Sequence, residues 1–188
     1  MKLPIVAYGH PTLRKVAVEI DKDYEDITQL IEDMFETMYH SSGVGLAAPQ
    51  INRSIKLFVI DADPFTPDYP DAQGFKKVFI NPEILETSGD DIPFTEGCLS
   101  LPNIYEEVVR KDRIRIRYYD ENFEIHEEEY DGIRSRVIQH EYDHLLGHVH
   151  VDRINPMRKL LLNGKLRDIS EGKCKADYRM LFPRKKRK

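Results

Sequence analysis

The stretch His140-Glu141-Tyr142-Asp143-His144 constrains this chain more than any other part of it. Two histidines four positions apart share one face of a helix, so both imidazoles can reach a single metal ion. Glu141 projects beside such an ion, where a carboxylate can take a proton from an activated water. The flanks agree: Val137, Ile138 and Leu145 give the segment an apolar face, and Gly147 supplies a stop. The spacing predicts a helix over residues 135–146 with this motif at its centre. Two histidines leave a metal under-coordinated, so the rest of the fold must bring a third ligand to it.

The remaining chain has the material for one compact domain. Of its 188 residues 40% are hydrophobic, enough for a sizeable core. With 28 basic and 33 acidic residues and a net charge of −5, it has no broad electrostatic attraction for DNA or for a membrane surface. No apolar run approaches the ~20 residues that span a bilayer, and the N-terminus has no secretory or transit pattern. Two cysteines, Cys98 and Cys174, make no disulfide scaffold and fit a reducing cytosol.

Ile27, Leu30, Ile31, Met34, Phe35 and Met38 follow helical spacing, with Gly43 as the expected stop. Short strands are expected at residues 55–60 and 78–80, the second closed by Asn81-Pro82, with a surface loop over 61–74. Alternation through 114–118 and 123–125 around Asp120-Glu121-Asn122 predicts an antiparallel hairpin. Asn155-Pro156 should cap a last helix running through Leu160-Leu161-Leu162. Without regular βαβ alternation, the fold class is α+β. The expected organisation is a catalytic domain over 1–170 and a mobile tail over 171–188, ending in Arg184-Lys185-Lys186-Arg187-Lys188.

Two residues compete for the third ligand position. Residues 140–150 fit His-Glu-x-x-His-x-x-Gly-x-x-His, the spacing of metzincin-like zinc endopeptidases, which would use His140, His144 and His150. Against that, Met157 is poorly placed for a Met-turn and little chain follows. Cys98, in Glu96-Gly97-Cys98-Leu99-Ser100, is the other candidate. A lone cysteine is more often a small buried hydrophobe, but a thiolate suits a Cys-His-His site with one open position, and Gly97 lets the backbone approach another group. A third segment, Gly43-Val44-Gly45-Leu46-Ala47-Ala48-Pro49-Gln50, combines small residues that allow close backbone approach with an amide able to donate to an oxyanion.

These three segments, in this order and at these distances, resemble the signature motifs of the peptide deformylases, and Tyr8-Gly9-His10-Pro11-Thr12-Leu13-Arg14 is similar to that family's N-terminal segment. The resemblance implies antiparallel β-sheets packed around the motif helix and a divalent metal on Cys98, His140 and His144. That metal is commonly Fe2+, with Zn2+, Ni2+ or Co2+ as substitutes. It implies Glu141 as general base and then acid, Gln50 and the Leu99 N–H as oxyanion donors, and Gly45 as a backbone contact for substrate. The implied substrate is a nascent formyl-methionyl polypeptide in the bacterial cytoplasm. Val44, Ile133 and Val137 are expected around the methionine side chain, and Tyr105 near the pocket mouth. Glu96 and Arg110 match a family ion pair, and Arg136 stands where some members carry an aliphatic pocket residue. The basic tail invites a contact with ribosomal RNA.

Overall fold

A computed structural model describes residues 1–183; the cluster 184–188 lies outside the described residues. The strands are β1 (Ile5–Val6), β2 (Gly45–Ala47), β3 (Leu57–Asp61), β4 (Lys76–Cys98), β5 (Leu101–Tyr119), β6 (Ile125–Tyr130) and β7 (Met180–Leu181). The helices are α1 (Ile27–His40), α2 (Gly132–Leu145) and α3 (Pro156–Ser170). Strands β2 to β6 form one antiparallel sheet in sequence order, and β1 pairs with β7 in parallel. The architecture is α+β.

Strand β3 is apolar from Leu57 to Ile60 because both its faces are covered there. Phe58 and Ile60 face one core with Phe79, Ile114 and Ile116, where α2 contributes Val137, Ile138 and Leu145. Leu57 and Val59 point the other way, onto Ile31, Met34 and Met38 of α1. A third cluster packs Leu162, Leu166 and Ile169 of α3 against Leu101, Ile104 and Val108 of β5. The motif helix is thus pressed against the concave side of the sheet, with its functional face turned toward the end of β4.

Several boundaries differ from the sequence reading. Helix α1 ends at His40, and Ser42 rather than Gly43 takes the left-handed conformation, with φ 56°. Helix α2 starts at Gly132, one turn earlier than the apolar spacing indicates. The 61–74 segment holds two short 3₁₀ turns, Asp63–Phe65 and Pro70–Ala72. Asn81-Pro82 does not close the second strand. It sits at a register shift between Ile80 and Glu83, and β4 continues to Cys98. Pro82 has no N–H for the ladder, so the strand bulges there instead of ending. The Asn81 side chain fastens the bulge, accepting from Ile20 N at 3.0 Å and donating to Ile20 O at 2.6 Å. The expected hairpin is the β5–β6 pair, and the Asn155 cap accepts from Met157 N at 2.8 Å.

Beyond α3 the chain returns to the body. Ile5 N donates to Arg179 O and Ala7 N to Leu181 O, both at 2.9 Å, so residues up to 181 are tied to the N-terminal strand. Near this seam Asp152 accepts from Arg14, from Lys159 at 2.6 Å and from Val149 N at 2.9 Å. Burial opposes its ionisation, but these donors outweigh burial and hold the carboxyl well below the usual carboxylate range. Its contribution to stability is therefore complete above the unfolded carboxylate pKa of about 4 and lost as pH falls through the folded value. Thermal melts should show Asp152→Asn lowering Tm by about 2–4 °C at pH 7, with the gap from the wild type narrowing in acid.

Candidate metal centre

Three elements converge at the functional face of α2. His140, Glu141 and His144 come from the helix itself, and Cys98 from the last position of β4, where it pairs with Leu101 across the tight Leu99-Ser100 connection. Gln50 comes from the 3₁₀ turn Ala48–Ile51 that follows β2. Cys98 Sγ is 3.4 Å from His144 Nε2, and one ligand atom from each of Cys98, His140 and His144 lies within 4.8 Å of the others. Tetrahedral coordination with metal–sulfur about 2.3 Å and metal–nitrogen about 2.1 Å gives ligand–ligand edges of roughly 3.5 Å. The Sγ–Nε2 separation fits that edge.

The partners around the ligands fix which atoms face inward. Glu96 Oε2 is 2.9 Å from His140 Nδ1, which leaves Nε2 for coordination. Gln50 Oε1 accepts from Ala47 N at 2.8 Å, so its Nε2 points to Cys98 Sγ at 3.5 Å and Ser100 Oγ at 3.4 Å. Gly45 is required by close approach: a Cβ there would sit 2.8 Å from Glu141 Cδ. At Gly97 a Cβ would lie 2.7 Å from the Tyr105 ring, so a side chain there would displace that exposed ring.

Behind the ligands lies a buried charge network. Arg110 donates to Glu96 through Nε at 2.6 Å and Nη2 at 2.9 Å, and to Asp143 through Nη1 at 2.7 Å. Arg136 adds a contact to Glu96 at 3.0 Å, and Arg153 closes on Asp143 from outside. Burial opposes the Glu96 charge, but Arg110 and His140 outweigh it and hold this carboxyl well below the usual range. Glu141 has no cation so close. Burial pushes it up to about 7, and its Oε2 is buried without a partner. An orphaned carboxylate oxygen beside a Cys-His-His cluster fits a divalent ion with a water, and thiolate plus imidazole suits iron, zinc, nickel or cobalt.

The cluster opens into a cleft of about 780 Å³. Val44, Gly45, Gln50, Leu99, Tyr105 and Val137 line it. Ile133 is not on that wall; it is 2% exposed in the core cluster that also holds Val137. Arg136 also lines the cleft, with its guanidinium turned to Glu96 and the Val108 carbonyl. His148 is exposed, and His150 is buried with its ring centroid 6.0 Å from that of His140, outside the three-ligand group. Sequence reasoning passed over Asp143, Ser100 and residues 175–178, which also line the cleft or its supports. Only Asp143 carried a signal, lying within the motif one turn from His140.

The family model for polypeptide deformylase matches residues 2–160. The chain belongs to the polypeptide deformylase family. It is therefore a metal-dependent hydrolase, and the endopeptidase alternative is not favoured. A peptide deformylase of Flavobacterium psychrophilum is 50% identical over the full length of both chains. The crystal structure of the Thermotoga maritima deformylase aligns with a TM-score of 0.75 at 42% identity, covering 83% of this chain and 99% of that one. A Met-Ala-Ser-bound deformylase of Acinetobacter baumannii aligns with a TM-score of 0.76 at 35% identity, covering 82% and 99%.

Substitution of each competing third ligand separates the two metal geometries. Cys98→Ala should lower bound metal at least tenfold by elemental analysis. His150→Ala should leave one metal per chain.

Proposed function

We propose that this chain hydrolyses the N-formyl group from the N-terminal formyl-methionine of nascent polypeptides, releasing formate and a free amine. The observation that carries this reading is the orphaned Glu141 Oε2 beside the Cys98, His140 and His144 ligand atoms at the base of the cleft. When bound, a divalent cation, Fe2+ in the native state with Zn2+, Ni2+ or Co2+ as substitutes, supplies the Lewis acidity that makes water a nucleophile near neutral pH.

The protein's own groups do the rest. Glu141, its carboxyl pushed up to about 7 by burial, accepts the proton as water adds to the formyl carbon. Gln50 Nε2 and the Leu99 N–H donate to the formyl oxygen as it gains charge. Glu141 then passes its proton to the departing nitrogen as the C–N bond breaks, which balances the step. The edge of β2 that β3 leaves free offers Gly45 backbone groups to an extended peptide. Val44 and Val137 line the pocket for the methionine side chain, with Ile133 backing Val137 from the core. Tyr105 stands at the mouth, 67% exposed. The Met-Ala-Ser-bound relative supports a methionine-first peptide as the ligand of this cleft.

Bacterial relatives support action in the bacterial cytoplasm, and no helix among the described residues is long and apolar enough to cross a membrane. A ribosome contact through residues 184–188 would show as salt-sensitive ribosome binding lost on deleting them.

Glu141→Gln should retain one metal per chain and lower formate release from formyl-Met-Ala by about 10²–10⁴-fold. Near-normal turnover in that variant would remove Glu141 from the proton path. With iron bound, aerobic storage should cost activity that Ni2+ replacement preserves, because Fe2+ and thiolate both oxidise. Equal decay under anaerobic conditions would contradict the iron assignment.

A further inference from the structure

The wall of the cleft opposite α2 is built by a segment outside the family model's match to residues 2–160. Lys175, Ala176, Asp177 and Tyr178 line the cavity. Asn103 Nδ2 donates to Lys175 O at 3.1 Å, and the β1–β7 pairing of Ile5 with Met180 sets where the segment runs. The Tyr178 ring packs on the cluster that also holds Leu99, and its hydroxyl donates to Leu99 O at 2.7 Å. The next carbonyl, Ser100 O, accepts from Tyr8 N at 2.9 Å. The Leu99–Ser100 and Ser100–Leu101 peptides are therefore clamped from opposite ends of the sequence, one donor each. Burial, reinforced by the nearby Cys98 and Cys174, pushes the Tyr178 phenol above its ordinary value, so it stays a proton donor across the working pH range.

We propose that Tyr178 is a positioning residue: by holding the Leu99–Ser100 peptide it restricts rotation about the Leu99 Cα, and so keeps the adjoining Cys98–Leu99 peptide, which carries the Leu99 N–H, aimed at the developing oxyanion. This rests on the reading of the Leu99 N–H as an oxyanion donor. A misdirected donor weakens the transition state more than substrate binding, so the effect falls on kcat.

The test uses the full-length, metal-loaded enzyme with formyl-Met-Ala. Tyr178→Phe keeps the ring and removes the donor. The expected result is kcat lowered about 5–10-fold, with KM changed less than about twofold and one metal per chain retained. The kcat–pH profile drops at every pH without moving its limbs. In the zinc-loaded protein the Leu99 carbonyl and Ser100 amide resonances shift. Para-aminophenylalanine at position 178, which restores an N–H donor, recovers most of the rate. An unchanged kcat, a change in KM alone, or a loss that merely tracks metal content overturns the proposal. Fluorinated tyrosines at 178 form a second series that keeps the bond and strengthens the donor, for use if Tyr178→Phe does not fold. There, a kcat that stays put while the Ser100 amide moves also overturns it. Replacing Leu99 by its α-hydroxy analogue removes the N–H itself. If that exchange leaves kcat intact, the oxyanion reading fails; if it costs activity while Tyr178→Phe does not, only the Tyr178 proposal fails.

Discussion

Glu96 is the point where the two halves of the site are joined. Its carboxylate, 5% exposed, takes Arg110 from β5, Arg136 from α2 and the Nδ1 of His140 at once. A charge this deep is tolerated only when every lone pair has a donor, and here the donors come from different elements. The β4–β5 hairpin is thereby fastened to α2 at the position two residues before Cys98. Removing one member of such a buried pair costs roughly 3–5 kcal/mol, because the other is left charged and unpaired. The same contact fixes the orientation of the His140 ring, so the stability of the hairpin–helix junction and the geometry of the ligand set are one property. Asp143 and Arg153 extend the chain of charges outward: Arg110 is shared between two carboxylates, and Arg136 and Arg153 supply the further positive charge that those two anions need.

Much of α2 was legible from residue spacing alone, because a helix places residues four apart together whatever surrounds it. The helix face with Val137, Ile138 and Leu145 buried follows from the same period. The pairing of β5 with β6 was legible for a similar reason, since alternation and a turn are local signals. Strand β4 was not. Asn81-Pro82 reads as a break, and the structure absorbs it as a bulge and carries the strand on to Cys98. What rescues the strand is pairing with β5 along its length, a contact between distant segments that no local pattern announces.

The third ligand position shows the same limit. His150 had a credible spacing and Cys98 a credible chemistry; the poor placing of Met157 weighed against the first, and the resemblance to a family decided for the cysteine. In the fold, the turn after α2 carries residue 150 behind His140 into the core, while the end of β4 delivers Cys98 to the open side. Spacing along a chain limits reach, but the direction of the turn decides which side of a ring is reached. Residues 175–178 gave no signal at all, since their place at the cleft depends on β7 finding β1.

That last pairing has a consequence for the life of the molecule. Strands β1 and β7 lie near opposite ends of the sequence, so their union closes a loop of almost the whole chain and is the slowest kind of contact to find. On a ribosome it is also among the last that can form, since Met180 emerges long after the ligand helix has folded. The metal cluster can assemble on a partly synthesised chain, whereas the far wall of the cleft waits for its own C-terminal residues. The cleft is thus finished from its far side, by a strand that starts at Met180, 35 residues of chain after the end of the ligand helix at Leu145.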